Sequence, residues 1–451
     1  MKRFIGSKYF TLLQLLIAAC AVLLRLEVIG AAAFCVVLIL VFIFSDDLLD
    51  TTLPFLLLSV SLIKRFDSFN DFLILVPLAS VAFIFFLWFT GRNGLRRLPG
   101  GGRFGYRLKR GPGENFAGIA AVAAAVTLGG AGVISAKAYF SLTSLYYTLG
   151  LGVVMMFAYL VINALLPENG ESVSRRFSWI MTVLTAFACF MVLSLYAEKL
   201  PQLLKRPEVL QFQWRNNICT FIMIGLPYPF YLSKYDPLCS FIGWAGYGCL
   251  LLSGSRGGMI FGTAELLLCL AVTLAFDKGH RRFHLTVISV LAAFAFVFGR
   301  KLVGFNLNTF RRMIDFRENR VRLGLFSRAI KDFRANPIFG SGLANWDNRD
   351  LHPSVRFALC WYHSAPFQII GSFGLFGVVC YALRLFLRVR TIVRHRSRFT
   401  YTLAVSFAGL LMMSLVNPGE FCPLPYELMM TFTFALMERQ SRRAGVEIKE
   451  G

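Results

Sequence analysis

Three groups of polar residues interrupt the apolar runs of this 451-residue chain, and their side chains suit phosphate binding and proton transfer. The first group is Ser255-Arg256-Gly257-Gly258, between two apolar runs. A guanidinium flanked by glycines can contact a phosphate that also approaches the backbone N–H groups. The same residues also fit a tight turn between helices whose arginine extends to the membrane surface.

The second group lies in the long polar segment 299–362, which holds twelve Lys and Arg against five Asp and Glu, a net charge of +7. Such a segment suits a multiply charged anion. Its apolar residues recur at helical spacing at Leu325, Ala329, Ile330 and Phe333. This spacing predicts an amphipathic helix that lies on the bilayer surface.

That helix carries the candidate phosphate ligands of the segment, which are Arg320, Arg322 and Arg328. Asn336-Pro337 follows and should end the helix, because proline cannot continue it. Gly340 and Gly342 then permit a sharp return of the chain.

The third group opens the next apolar run with His363-Ser364, and Gly374 and Gly377 follow within that run. A histidine at a helix start meets the positive end of the helix dipole, which favours the neutral imidazole. A neutral imidazole can accept a proton near pH 7 and act as a general base. Taken alone, His363 also fits a boundary residue packed on the preceding aromatic pair 361–362.

Composition indicates the elements that must hold these groups. The chain is 57% hydrophobic with 46 Phe, and its apolar runs near 20 residues predict membrane-spanning helices. The net charge of +23 does not indicate nucleic acid, because Lys and Arg collect in the cytoplasmic loops of multispan proteins. We expect an all-α polytopic transmembrane bundle of about 12–14 spans. The predicted spans are 9–24, 28–44, 52–63, 72–90, 116–134, 145–166, 177–196, 218–232, 237–252, 258–276, 283–298, 364–383, 399–416 and 424–437.

Alternating these spans from an N-terminus inside places the basic short loops 91–115, 277–282 and 384–398 inside, as the positive-inside rule requires. The basic segments 197–217 and 299–362 then fall outside, against the bias, so their charge is better explained by a ligand. We expect three parts: 1–298 with about eleven N-terminal spans, 299–362 as a long extracytoplasmic catalytic loop with amphipathic helices, and 363–451 with the C-terminal spans and a cytoplasmic tail.

In their order, the three groups resemble the O-antigen ligase and O-antigen polymerase superfamily of bacterial envelope glycan transferases. The resemblance covers about 210–380 and rests on three matches. These are the Ser255–Gly258 turn, the Arg322 helix with Pro337-x-x-Gly340-x-Gly342, and His363-Ser364 followed after nine residues by Gly374-x-x-Gly377. Phe326 departs from the Leu or Trp frequent in relatives, which leaves Arg320 open beside Arg322.

The resemblance implies a multi-pass enzyme of the bacterial cytoplasmic membrane with an extracytoplasmic active site. It would transfer a glycan from undecaprenyl diphosphate to a hydroxyl of a glycan, glycolipid or cell-wall acceptor, with inversion and without a metal or other cofactor. His363 would activate the acceptor, while Arg256 and Arg322 would stabilise the diphosphate, with Arg320 and Arg328 as further ligands. The residues implied to support loop and glycan are Gly340, Gly342, Ser364, Gly374 and Gly377.

Other functions stay open at this point. A lipid-linked glycan flippase would also need many spans and basic residues, although transporters tend to bind at the membrane midplane. A metal-dependent lipid-phosphosugar transferase would need acidic ligands in an early outer loop, and the joint Arg25-Leu26-Glu27 is too short to hold them. Ligase and polymerase differ in the acceptor, which the sequence does not specify.

Overall fold

The computed structural model describes residues 2–45, 47–63, 113–129, 148–166, 170–314, 316–343, 362–417 and 424–447, and these residues form helices and connecting turns without a strand. The first helices are α1 (Lys2–Ile5), α2 (Lys8–Leu23), α3 (Glu27–Phe44), α4 (Leu49–Ser61), α5 (Phe116–Gly129), α6 (Met155–Leu165, after a π-helical turn Gly150–Val154), α7 (Glu171–Glu198), α8 (Leu200–Lys205) and α9 (Arg215–Gly225). The remaining helices are α10 (Pro227–Leu232), α11 (Ser240–Leu252, after a 3-10 turn Pro237–Cys239), α12 (Arg256–Phe276), α13 (Arg281–Phe305), α14 (Leu307–Ile314), α15 (Phe316–Ala335), α16 (Ala365–Arg394), α17 (Arg398–Ser414) and α18 (Leu424–Glu447). The predicted span 72–90 and most of the basic loop 91–115 lie outside the described residues.

Five of the described helices are long and apolar enough to cross a membrane, namely α3, α7, α12, α13 and α16. Five shorter apolar helices accompany them: Lys8–Leu23, Leu49–Ser61, Phe116–Gly129, Gly150–Asn163 and Pro237–Leu252. The predicted all-helical membrane fold is therefore confirmed, whereas the number of spans stays a prediction.

Three predicted boundaries differ from the structure. The span predicted to end at 298 continues as α13 to Phe305. The span 218–232 is divided into α9 and α10, because Pro227 at the start of α10 has no N–H to continue the α9 ladder. The segment 384–398 is not a loop: α16 extends to Arg394 and buries two of its arginines in the bundle.

The centre of the bundle is α7, which packs against α9, α10 and α11. Its side chains Phe177, Met181 and Leu184 are fully buried at helical spacing. In a bilayer, such a stripe stabilises the bundle by close van der Waals packing between helices. This packing fixes the frame from which the polar ends of α9 and α12 project.

By contrast, α13 packs loosely on its neighbours. His284 is its buried residue, and none of its apolar window is buried inside the protein. Phe296 and Val297 are 90% and 70% exposed. An apolar helix exposed in this way fits a lipid environment.

The polar contacts sort into two layers at opposite ends of the bundle. One layer, here called the site face, joins Arg25 to Glu198 and Asn308 to Glu208. The other, called the opposite face, is held by ion pairs of its own: Arg176 with Asp47 and Asp50, Lys234 with Glu171, Arg398 with Asp277, and Arg394 with Glu114. Each pair joins segments that the alternation of spans puts on the same side.

Candidate active site

The turn that leads into α12 is fixed by its own serines. Ser255 is the N-cap residue of α12: its hydroxyl accepts the N–H of Gly258 at 3.2 Å and donates to Asn216 Oδ1 at 2.8 Å. The hydroxyl of Ser253 accepts the N–H of Ser255 at 3.1 Å. Such caps satisfy N–H groups that a helix start leaves without partners. The turn therefore holds Arg256 at the first position of the helix.

The glycines of this turn serve close packing. A Cβ on Gly257 would come within 2.9 Å of Val416, and one on Gly258 within 2.7 Å of Cys219 Sγ. Gly254 has a φ of +65°, which only glycine adopts at low cost. The space that the sequence suggested for a phosphate beside Gly257 and Gly258 is therefore filled by protein.

Arg256 and Arg312 tie this turn to the start of the long polar segment. The guanidinium of Arg256 donates to the backbone carbonyl of Arg312 at 2.6 Å, and the guanidinium of Arg312 donates to the carbonyl of Gly254 at 2.9 Å. This reciprocal pair brings α14 onto the turn, at the site face. Arg256 is thereby linked to α15, which directly follows α14 in the chain.

The predicted amphipathic helix forms as α15, but its buried face differs from the prediction. Leu325 and Ala329 are buried as expected, whereas Ile330 is 40% exposed and Asp332 is buried at 4% exposure. The reason is that α15 packs against α16 and the chain before it, and the carboxylate of Asp332 finds its partners in Arg328 and Tyr362. The rings of Phe326 and Phe367 stack between the two helices with centroids 4.1 Å apart.

Asp332 is the polar centre of this interface. It accepts the hydroxyl of Tyr362 at 2.5 Å and Nε of Arg328 at 3.0 Å, and its backbone carbonyl accepts the hydroxyl of Ser341 at 3.2 Å. Tyr362 is completely buried. Asp332 thus connects α15 and the residue immediately before His363 through its carboxylate, and the chain after α15 through its backbone carbonyl.

The return of the chain after α15 is built on a break in α16. Helix α15 ends at Ala335, before Pro337, as predicted. The N–H groups of Ser341 and Gly342 donate to the carbonyls of residues 371 and 372, at 2.8 and 3.0 Å, and those of residues 375 and 376 donate back to the carbonyls of Pro337 and Ile338. Segment 337–342 therefore takes the hydrogen bonds that α16 leaves open.

Glycine is required where these two backbones meet. Gly374 has φ 63° and ψ −157° inside α16, a region that is essentially restricted to glycine. A Cβ there would come within 2.6 Å of the Ile338 carbonyl, and a Cβ on Gly340 would overlap the backbone of residues 372–373. Gly377 faces Phe373 in the same helix, and Gly342 has a φ of +89°. The glycines of the motif thus form the crossing itself.

His363 lies at the end of this assembly, two residues before α16. Its φ of +52° is uncommon for a residue with a side chain, although histidine is enriched there. Gln368 accepts the N–H of Tyr362 at 3.1 Å, and the carbonyl of Ser364 accepts the N–H of Gln368 at 2.8 Å. Ser364 is the N-cap residue of α16 and is buried, with no side-chain cap bond. The strained backbone at His363 is held from both sides.

The other candidate arginines lie along α15. Arg320 is exposed and Arg322 is half-buried. Arg328 is bound to Asp332 with 23% of its side chain exposed. The structure thus brings the helix of Arg322 and the helix of His363 into direct contact, and joins Arg256 to them through α14.

The comparison with known families agrees with this arrangement. A family model described as O-antigen ligase matches residues 241–382, which include Arg256, all of α15 and the glycine crossing of α16. This part of the chain belongs to the O-antigen ligase family. No curated protein matches the sequence.

Within this O-antigen ligase region, sequence reasoning missed the residues that position the others. Asp332 was counted only as an acid of the polar segment, Tyr362 only as a packing aromatic and Arg312 only as one of twelve cations. Each acts through a partner distant in the chain. The one local signal is an acid placed four residues after Arg328, a spacing that allows an ion pair on a helix.

A buried ion cluster lies outside the site face, and here the sequence prediction was wrong. Glu427 is buried and accepts Nη1 of Arg384 at 2.7 Å and Nη2 of Arg388 at 3.0 Å, and both arginines belong to the segment 384–398 that was predicted to be a loop. The guanidinium of Arg388 lies 5.2 and 4.9 Å from the ring centroids of Phe407 and Phe434. The cluster joins α16 to α18 in the bundle interior. It arises because α16 continues well past the predicted end of its span.

The described residues contain no group of three or more His, Cys, Asp or Glu that could hold a metal ion. The expected metal-independent chemistry stays a prediction. Glu420, a weaker candidate for a sugar contact, lies outside the described residues.

Proposed function

We propose that this O-antigen ligase family protein transfers a glycan from undecaprenyl diphosphate to an acceptor hydroxyl at the site face, and that this face is extracytoplasmic. The acceptor is a glycan, a glycolipid or a cell-wall polymer. His363 acts as general base, and Arg256 and Arg322 bind the diphosphate, with Arg320 beside them. Arg328, which the Asp332 carboxylate holds, supports the site more than it binds substrate.

The proposed step is a single displacement with inversion. The imidazole of His363 accepts the proton of the acceptor hydroxyl, whose oxygen attacks the anomeric carbon. The bond from that carbon to the diphosphate oxygen breaks, and its electron pair leaves with undecaprenyl diphosphate. Fixed guanidiniums stabilise the charge that grows on the phosphate oxygens. A well-placed general base contributes about 10²–10⁴-fold to the rate.

The observation that carries this proposal is the crossing of segment 337–342 with α16 at Gly374. It places the helix of Arg322 against the helix of His363 within the stretch that matches the ligase family. Two sequence motifs separated by more than twenty residues become one rigid unit. Such a unit can hold the base and the diphosphate ligand in a fixed geometry, which lowers the barrier to transfer.

The test is transfer of glycan from a purified lipid-linked donor to an acceptor by the purified protein. His363→Ala and Arg256→Ala should each abolish transfer, and Arg322→Ala should lower it by about 10²-fold or more. Arg334→Ala is the matched control, because Arg334 is exposed on the same helix and its loss removes the same charge. Full activity of both His363→Ala and Arg256→Ala would refute the site.

Two further measurements test the chemistry. The anomeric configuration of the product should be opposite to that of the donor, and a chelator should leave the rate unchanged. Retention of configuration would exclude a single displacement, and loss of activity with the chelator would exclude the metal-independent step.

A glycan flippase is the second candidate, and the buried cluster of Arg384, Arg388 and Glu427 favours it. Charged groups inside a membrane bundle often mark a transport path. Glu265 adds to this, since its carboxylate is fully buried and has no hydrogen-bond partner among the described residues. In the same assay a flippase would move the lipid-linked glycan across a vesicle membrane and leave the diphosphate bond intact.

A further inference from the structure

A large cavity opens at the opposite face, away from the candidate active site. It has a volume of about 660 Å³ and lies between the starts of α2, α4 and α7 and the turn after α10. All three helices begin at this face, so their positive dipole ends point toward it. The cavity plays no part in the transfer step proposed above.

The walls of the cavity change from polar to apolar with depth. The helix starts contribute Lys8, Arg175 and Arg176, and the positions farther along the helices contribute apolar side chains, among them Leu53 and Ile180. Trp179 lines the same space and is 46% exposed. Tryptophan prefers the level of lipid headgroups, with its ring partly in the apolar layer. This gradient matches an amphiphile better than a soluble anion.

The cations at the mouth are not all neutralised. The guanidinium of Arg176 is held between the carboxylates of Asp47 and Asp50. Lys8 and Arg175 form no ion pair within the part of the chain that the structure describes, although the guanidinium of Arg175 lies 4.7 Å from the ring centroid of Tyr235. Asp236 is a further acid in the wall. Its carboxylate accepts the N–H of Leu238 and caps the next turn.

A buried amide points to a ligand deeper in the cavity. Gln14 lines it and is 2% exposed, yet its amide oxygen has no hydrogen-bond partner among the described residues. A buried amide oxygen without a donor is costly, and rotation of the amide by half a turn presents its N–H₂ at the same place, where it can donate to a ligand oxygen. It lies nearly two turns deeper than Lys8 along α2, which is the level of the ester groups when a phosphate sits at the helix starts.

We propose that this cavity binds one anionic glycerophospholipid. The phosphate contacts Lys8 and Arg175, the side-chain N–H₂ of Gln14 donates to an ester carbonyl of the glycerol region, and the acyl chains follow the apolar wall out to the bilayer. If the positive-inside orientation is right, this is a lipid of the cytoplasmic leaflet, where anionic headgroups and basic residues meet.

The experiment measures lipid binding to the purified full-length protein by native mass spectrometry and by thermal stability. The probes are phosphatidylglycerol, phosphatidylcholine and inorganic phosphate. Phosphatidylglycerol should remain bound and raise the melting temperature, and Lys8→Gln combined with Arg175→Gln should weaken its binding by about tenfold. Lys278→Gln combined with Arg282→Gln is the matched control, since it removes two exposed charges on the same face outside the cavity.

Three results would overturn the proposal. Equal binding of phosphatidylcholine, or equal weakening in the control variant, would show general annular lipid. Full stabilisation by inorganic phosphate alone would show an anion site without a lipid. Gln14→Leu tests the deeper contact and removes a buried polar group, so it should fold well; unchanged affinity in this variant would refute the bond to the ester region.

Discussion

At the residue scale, the position of His363 depends on a chain of buried hydrogen bonds. Arg328 and Tyr362 both donate to Asp332, and Tyr362 directly precedes the histidine. The histidine backbone itself adopts a φ of +52°, at a cost of about 1–3 kcal/mol that neighbouring contacts must offset. We interpret Asp332 as a positioning residue: it acts on the transfer step through Tyr362 and His363.

Replacing Asp332 with Asn should lower stability by about 1–3 kcal/mol, because the half-buried guanidinium of Arg328 loses its carboxylate. Tyr362→Phe should cost about 1 kcal/mol by removing one buried hydrogen bond. Both variants should lower kcat at least tenfold and change KM little, because the base is displaced while the diphosphate ligands remain.

Lys331→Ala is the control for these variants, since Lys331 is exposed and adjacent to Asp332. Steady-state kinetics beside thermal unfolding separate the two effects. Unchanged kcat in a folded Asp332→Asn protein would show that the carboxylate only stabilises the fold.

At the element scale, the candidate active site rests on a broken helix and on the segment that crosses the break. Helix α16 is broken at Gly374, and segment 337–342 fills the break with its own N–H and carbonyl groups. Neither piece could satisfy its backbone alone, so the two must form together. This explains why Gly340 and Gly342 occur together with Gly374 and Gly377.

Gly374→Ala should destabilise the protein by more than about 1–3 kcal/mol, since the φ/ψ strain adds to a clash with the Ile338 carbonyl. Gly304→Ala is the matched control: a Cβ there meets nothing within 4 Å, and alanine favours the helix by roughly 0.5–1 kcal/mol. Thermal unfolding in detergent measures both. Equal stability of the two variants would contradict the crossing.

The C-terminal half of α16 is held by the buried ion cluster of Arg384, Arg388 and Glu427. Glu427→Gln should lower stability by about 3–5 kcal/mol, because the buried guanidiniums of Arg384 and Arg388 lose the carboxylate to which both donate. Glu198→Gln should cost less than about 1 kcal/mol, since the ion pair of Glu198 with Arg25 is largely exposed.

A triple variant gives the complementary test of the cluster. Replacing Arg384 and Arg388 with Met and Glu427 with Leu should restore most of the stability lost in Glu427→Gln, because all three charges of the cluster are removed together. If the stable triple variant loses transport but keeps transfer, the cluster belongs to a transport path. If it loses neither, the cluster is structural.

At the scale of the whole molecule, the protein is a helical bundle with two polar faces of different character. The site face carries the turn before Arg256 with α14 bound to it, and α15 packed against α16. The opposite face is tied by ion pairs and carries the proposed lipid cavity. Transfer on one side and lipid anchoring on the other would fix the bundle relative to the bilayer.

The sidedness of these faces can be measured by cysteine labelling in spheroplasts. In a background with all ten cysteines replaced by serine, Ser327→Cys on α15 should react with a membrane-impermeant maleimide, and Lys278→Cys on the opposite face should react only after the membrane is opened. The reverse result would place the candidate active site in the cytoplasm and refute the proposed donor.

The sequence by itself determined the membrane bundle and the family resemblance. Both depend on local properties: the length of an apolar run sets whether a helix can span a bilayer, and the spacing of Arg256, Arg322 and His363 with their glycines is read along the chain. The sequence predicted the ends of helices less accurately, as α16 shows. The arginines in its C-terminal half predicted a cytoplasmic loop, because no local pattern in the sequence indicates a buried partner for them.

Only the tertiary structure decided which groups meet. It paired Asp332 with Tyr362, Glu427 with two arginines and Gly374 with the Ile338 carbonyl. It also showed that Ile330 faces out while an aspartate faces in, against the apolar periodicity. The physical reason is that a buried polar group is stable only beside a specific partner, and the partners in these pairs lie far away in the sequence, outside any local pattern.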